Sequence, residues 1–183
     1  MLEQQAQIMD HREVLPGTHL LTLQEPGIAR SAAPGQFVML KTGDGLDPLL
    51  RRPFSICGIQ DDAFLLLYRV VGRGTKVLSH RTAGEPLHVL GPLGNGFQHR
   101  HASPPLLLVG GGIGLAPLFF LAQTLNRGSS DRPFALLAGF STAEEVLNKD
   151  LVSNLPMMLE LAPEDGAAVY YGSVTALLES RLR

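Results

Sequence analysis

Four glycines, Gly110, Gly111, Gly112 and Gly114, stand in the middle of Ala102 to Asn126, a stretch without a charged side chain. Hydropathy alone would make that stretch a membrane span. Each glycine weakens a continuous helix and Pro117 interrupts it, whereas a strand, a tight turn and a helix take the same residues without strain. The sequence therefore predicts a buried strand at Leu106 to Val109, a glycine turn, a helix at Leu115 to Leu125, and no membrane segment. The alternation continues with a strand at Phe134 to Ala138, a helix at Ala143 to Leu155, a strand at Met157 to Leu161 and a last helix at Val174 to Leu182. Alternating strands and helices build a parallel sheet. Doubly wound domains usually have more strands, so this one is expected to be incomplete, short by at least one strand-helix unit.

Upstream the pattern is different. Short apolar or β-branched runs at Gln7 to Val14, His19 to Gln24, Gly35 to Lys41, Pro53 to Ile59, Ala63 to Val71 and Leu87 to Val89 are separated by turn residues such as Pro16-Gly17, Pro26-Gly27, Pro34-Gly35 and Asp61-Asp62. Only Gly74 to Arg81 reads as helix here. The expected fold class is an antiparallel six-stranded β-barrel over residues 1–98, followed by the incomplete doubly wound α/β domain over 99–183. The polar stretch Gln98 to Pro105 is expected to link them.

Fifteen Lys and Arg against seventeen Asp and Glu give a net charge of −2, which offers no general attraction for nucleic acid or an anionic membrane. The one cysteine, Cys57, excludes an internal disulfide framework and a four-thiolate metal site among these residues. Met1 to Val14 has no signal-peptide core, so a cytoplasmic protein is expected. His99 and His101 flank Arg100 in the polar linker, where solvation is the plainer reading than metal binding. Ser55 and Ser141 lack the surroundings of a hydrolase nucleophile, and no catalytic residue is assigned.

Three groups of residues carry chemistry. Gly110-Gly111-Gly112-Ile113-Gly114 lies between a strand and a helix start, where backbone amides and the helix dipole favour a diphosphate. The spacing is not the G-x-G-x-x-G fingerprint, and Gly139, Phe140 and Ser141 stand where an acidic ribose ligand would. Close strand-helix packing explains the glycines as an alternative. Arg51-Arg52-Pro53-Phe54-Ser55 places cation, aromatic ring and hydroxyl together, as a flavin nucleotide requires: a guanidinium for phosphate, a ring against the flavin, a hydroxyl for its edge. An edge strand with solvated arginines is the alternative. Tyr68, Arg69, Gly72, Gly74 and Thr75 open a strand into a helix, where Thr75 can cap the helix or bind phosphate and Tyr68 can form an aromatic wall. Gly91 to Phe97 is too rich in glycine for a strand and is expected to be a tight packed loop.

In order and spacing, Leu50 to Ile56, Leu67 to Thr75, Gly91 to Phe97 and Val109 to Pro117 resemble the ferredoxin reductase-like flavoproteins, and most specifically the electron-transfer subunits of type B dihydroorotate dehydrogenase. The resemblance spans nearly the whole chain. It implies that Arg52, Pro53, Phe54, Ser55, Leu67, Tyr68 and Arg69 line FAD and that Gly74 and Thr75 hold its phosphates. It also implies that Gly110, Gly111, Gly112, Ile113, Gly114, Ala116 and Pro117 face NAD. The barrel would then be the FAD domain and the α/β unit the NAD domain. The partner implied is an FMN-containing catalytic subunit, whose electrons pass through a 2Fe-2S cluster to FAD and then to NAD. The family's cluster lies in a cysteine-rich segment that this sequence, ending at Arg183, does not contain, so no cluster is expected on these residues. A stand-alone NAD(P)H:flavin or ferredoxin reductase, or an inactive partial chain, are the competing expectations.

Overall fold

Strands that alternate apolar and polar residues need an inside, and the pairing of the first one supplies it. The computed structural model describes residues 3–43, 45, 48–98, 106–127, 134–140, 158–163 and 178–179. In it β1 (Gln4–Leu15) pairs antiparallel with both β2 (Thr18–Gln24) and β6 (Pro86–Leu93). With β3 (Phe37–Lys41), β4 (Arg52–Gln60) and β5 (Ala63–Arg69), the order β1-β2-β5-β4-β3-β6 closes into the expected six-stranded barrel. Ile8, Leu21, Leu23, Ile56, Phe64 and Leu66 are essentially sealed from solvent in its core. Burial of such side chains contributes about 1.5–3 kcal/mol each.

Two register shifts decide which side chains face the barrel interior. On β1, Ile8 faces Leu23, Asp10 faces Thr22 and His11 faces Leu21, with a bulge between Ile8 and Asp10. That extra residue reverses the phase of the strand, so that His11 and not Asp10 shares the inward face with Leu21. On β4 a second shift lies between Ile56 and Gly58, at Cys57, and interrupts the alternation that would have put Cys57 on the face of Ser55. Cys57 is buried there, and burial pushes its thiol up to about 12.

The barrel contains a helix that the sequence pattern did not lead us to expect. Pro26-Gly27, read as a turn, begins α1 (Pro26–Ser31): the Glu25 carboxylate accepts from the Gly27 amide at 3.2 Å and the Ile28 amide at 2.5 Å, and Pro26 occupies the first turn. Ile28 and Ala29 are buried, which holds so short a helix in place. The helix after β5, α2, covers Arg73–Leu78, shorter at its end than the expected Gly74 to Arg81. Gly91, Pro92 and Leu93, expected in a loop, close β6 instead; Phe37 pairs with Leu93.

The chain divides into two compact units, Met1–Phe97 and Gln98–Arg183. In the second, β7 (Leu106–Gly111), β8 (Phe134–Phe140) and β9 (Met158–Pro163) form a parallel sheet in the order β7-β8-β9. The strands expected at Leu106, Phe134 and Met157 are all present, and α3 (Leu115–Arg127) follows a 3-10 turn at Gly112–Gly114. Leu115, Ala116, Phe119, Phe120 and Ala122 form its buried side. The expected helix over 143–155, His99, His101, Ser141 and most of the helix over 174–182 lie outside the described residues. Among the described residues no helix is long and apolar enough to cross a membrane.

The turn into β6 is held by Glu85, which takes hydrogen bonds from Arg81 Nη1 and from the Thr82 amide and hydroxyl, each at 2.8 Å. The Arg81 bond first, and the Thr82 bonds after it, bring the Glu85 carboxyl down to about 2. A carboxylate with a depressed pKa stabilises the fold fully above its unfolded value of about 4.3 and loses that contribution as pH falls toward the folded value. Melting temperature followed from pH 5 to pH 2 is therefore expected to decline less steeply in Glu85→Gln than in the unsubstituted chain.

Candidate functional site

The two adjacent arginines have separate fates. Arg51 Nη2 meets the Glu3 carboxylate at 2.5 Å and its Nη1 donates to the His88 carbonyl at 3.2 Å, so Arg51 fastens the start of β1 to β6. Arg52 instead lies against α2. A Cβ added to Gly74 would stand 3.0 Å from Arg52 Nε, 3.2 Å from its Cγ and 3.4 Å from Thr42 Oγ1. Gly74 is thus the cradle in which the arginine rests, while Arg52 Nη1 donates to the Leu50 carbonyl at 2.8 Å. The family resemblance assigned Arg52 and Gly74, from motifs far apart in the chain, to separate parts of one cofactor's surroundings, and the fold brings the two residues together.

Thr42 was not anticipated. It is fully buried, and its hydroxyl is one of two buried side-chain polar atoms among the described residues that lack a hydrogen-bond partner, Gln4 Oε1 being the other. An unpaired buried hydroxyl costs about 1–3 kcal/mol, and one beside a guanidinium and a glycine cradle fits a site made for a polar group. A phosphate-bearing cofactor therefore suits these residues. Nothing in the sequence marks Thr42, one residue past β3; only the folded contact with Gly74 does.

The other residues of the flavin motifs divide by strand phase. Along β4, Pro53 is exposed and Ser55 half-buried, whereas Phe54 turns inward. Its ring meets Tyr68 edge-on at 5.5 Å, and the two are 7% and 2% exposed. Leu67 is also buried, and Arg69 is exposed. The phenol of Tyr68 is pushed above its usual range by burial. Thr75 caps the six-residue α2: its hydroxyl accepts from the Val71 and Gly72 amides at 3.0 and 3.1 Å and donates to the Gly72 carbonyl at 2.9 Å. That hydroxyl is fully employed, and what the first turn of α2 can offer an anion is its backbone amides, which have no partner within the helix.

In the second unit the glycines separate the two readings weighed in the sequence. Gly110 ends inside β7, where a Cβ would come 2.7 Å from Leu118 Cδ1 and 3.2 Å from Leu115 Cδ2; it is there for close packing. Gly112 has φ +51°, a conformation glycine adopts without strain, and neither Gly112 nor Gly114 has any atom within 4 Å of its missing Cβ. Ile113 is exposed at the same turn. Open backbone ahead of a thirteen-residue helix is what a diphosphate uses. Ala116 is buried and Pro117 half-buried in the first turn of α3.

No protein-family model matches the chain. Across 98% of its length it is 38% identical to the dihydroorotate dehydrogenase B (NAD(+)) electron transfer subunits of Bacillus mycoides (strain KBAB4) and Bacillus cereus (strain G9842), covering 70% of each. The chain belongs to that family. Its fold is similar to the NADH-dependent reduced ferredoxin-NADP oxidoreductase (TM-score 0.81, 24% identity, 97% of this chain and 63% of that one). It is equally similar to the ferredoxin reductase of carbazole 1,9a-dioxygenase (TM-score 0.83, 21% identity, 99% of this chain and 57% of that one). The chain thus spans less than two thirds of either solved structure. For a 2Fe-2S cluster these residues offer Cys57 alone, buried, and among the described residues no group of His, Cys, Asp or Glu is arranged for a metal. No step through a cluster is derived from them.

The glycine turn gives a direct test. Gly110→Ala is expected to destabilise the second unit by about 1 kcal/mol, the low end for overpacking because the Leu118 side chain can shift. Gly114→Ala, which meets nothing, is expected to leave it unchanged. Amide hydrogen exchange along β7 and α3 distinguishes the two.

Proposed function

We propose that this chain is the flavin-bearing electron-transfer subunit of an NAD-linked dihydroorotate dehydrogenase of pyrimidine biosynthesis. It binds FAD on the barrel and takes electrons from an FMN-containing catalytic subunit. It delivers them to NAD held at the turn after β7. The observation that carries the flavin part is the contact of Arg52 with Gly74 beside the unpartnered Thr42 hydroxyl. The family relatives, named as electron transfer subunits of an NAD(+) enzyme, carry the rest.

FAD, when bound, supplies the ability to accept electrons singly and release them as a pair with a proton. The chain's own residues bind and orient it. Arg52 binds phosphate through its guanidinium fork, and the glycine at position 74 lets that charge lie close to the first-turn amides of α2. Pro53 and Ser55, on the outward phase of β4, and the exposed Arg69 meet the cofactor by their side chains. Phe54 and Tyr68, turned inward, and Leu67, buried on the opposite face of β5, set the position of the strands that carry those groups. At the second unit, the open backbone of Gly112 to Gly114 takes the dinucleotide diphosphate, and Gly110 keeps α3 close enough to present its N-terminus.

Titration of the flavin-free chain with FAD and with FMN, followed by flavin fluorescence, tests the reading. FAD is expected to bind more tightly, because its diphosphate offers the Arg52 guanidinium and the first-turn amides of α2 more acceptor oxygens than the single phosphate of FMN. Arg52→Ala is expected to weaken FAD by about 1.5–3 kcal/mol, as for a lost hydrogen bond to a charged group. Arg51→Ala, which removes only the tie to Glu3 and His88, is expected to lower stability with little change in affinity. Equal affinity for FMN, or a folded chain that takes up no flavin, overturns the proposal.

A further inference from the structure

A buried hydroxyl without a partner carries a penalty that a valine of the same shape would remove. Thr42, one residue past β3, has such a hydroxyl: the residue is fully buried and its Oγ1 lacks a hydrogen-bond partner. Solvent does not supply one. Gly43, the next residue, is packed so closely that a Cβ there would stand 3.2 Å from Pro48 Cδ and 3.7 Å from Val77 Cγ1 of α2. The backbone that carries Thr42 is held under that contact, and its hydroxyl depends on the groups that enclose it.

The group beside it is Arg52. Leu40 of β3 pairs with Arg52 of β4, so the strand that ends just before Thr42 runs alongside the start of β4. The place of a Cβ on Gly74 is 3.4 Å from Thr42 Oγ1 and 3.0 Å from Arg52 Nε. The hydroxyl and the Nε therefore border one gap, left clear because residue 74 has no side chain. Arg52 has donors to spare. Its Nη1 donates to the Leu50 carbonyl at 2.8 Å and reaches the Arg51 carbonyl at 3.4 Å, while its Nε and Nη2 have no acceptor among the described residues. An orphan acceptor and a charged donor without a partner thus face the same gap in the free chain.

We infer that Thr42 is a positioning residue for Arg52 in the flavin site: its Oγ1 accepts from Arg52 Nε once a flavin phosphate draws the guanidinium off the Leu50 carbonyl toward α2, and it stays unpartnered until then. This rests on the flavin reading proposed for the barrel. With Nε held by Thr42, the hydrogens on Nη1 and Nη2 are left as a fork for the phosphate oxygens. Two groups that are unsatisfied in the free chain are then satisfied together in the bound one. The penalty of the buried hydroxyl is present before binding and absent after it, and its removal adds to affinity. A merely structural threonine behaves differently, because a hydroxyl already bonded in the free chain stabilises the fold and the bound state alike.

Thr42→Val separates the two roles, since it keeps the shape and removes only the hydroxyl. Titration with FAD, followed by flavin fluorescence, is expected to show affinity reduced about tenfold, near the low end for a hydrogen bond to a charged group, while the melting temperature of the flavin-free chain rises by about 4 °C or more. Thr42→Ser, which retains the hydroxyl but loses a buried methyl, is expected to keep its FAD affinity and to melt lower. In an Arg52→Ala background, where Nε is gone, Thr42→Val is expected to leave FAD affinity unchanged, so that the two substitutions are not additive. FAD affinity in Thr42→Val equal to that of the unsubstituted chain, a loss of the same size in the Arg52→Ala background, or a melting temperature that falls along with affinity overturns the assignment to Thr42 and leaves the flavin reading standing. Failure of the folded, unsubstituted chain to take up FAD overturns the flavin reading and this inference with it.

Discussion

The pairing of β1 with two neighbours at once is the constraint on which the first unit depends. A sheet of six strands left open would present two edges of unpaired amides and carbonyls, on β1 and β6, and the pairing of β1 with β6, beside its pairing with β2, removes both. Glu3 stands where that closure begins, and its carboxylate receives both Arg51 Nη2 at 2.5 Å and His88 Nδ1 at 3.0 Å. The Arg51 bond holds the Glu3 carboxyl below its usual range. Arg51 is thus spent on closing the barrel, whereas Arg52, the next residue, lies against Gly74 of α2.

Much of this architecture was legible because it stems from local pattern. The six barrel strands, the switch to a parallel sheet near residue 98 and the elements around the glycine turn all have periodicities that a short window reveals. α1 was not legible, since Glu25-Pro26-Gly27 satisfies the signature of a turn as well as that of a capped helix, and burial of Ile28 decides between them. The inward place of His11 was hidden for a different reason. A bulge changes the phase of every residue after it, and no composition signal announced the one between Ile8 and Asp10.

At the candidate site the sequence could nominate residues but not their geometry. Arg52 and Gly74 could be paired by resemblance, yet only the fold shows that the glycine exists to admit the arginine and that Thr42 waits unpartnered beside them. The aromatic residues went the other way. Phe54 and Tyr68 read as walls for a ligand, whereas strand phase turns both rings into the barrel, where they brace the site from behind. At the second turn, a run of glycines that looked like one feature splits into Gly110, which packs, and Gly112 and Gly114, which leave space.

The bulge at Cys57 has a practical consequence. The only thiol in the sequence is enclosed in the barrel wall and pushed to about 12, so at neutral pH it is both shielded and almost wholly in its unreactive protonated form. The folded chain is thereby silent toward maleimides and other alkylating reagents. A cysteine introduced at an exposed position such as Pro53 or Arg69 would be the sole target for a spin label or fluorophore, without removal of the native one.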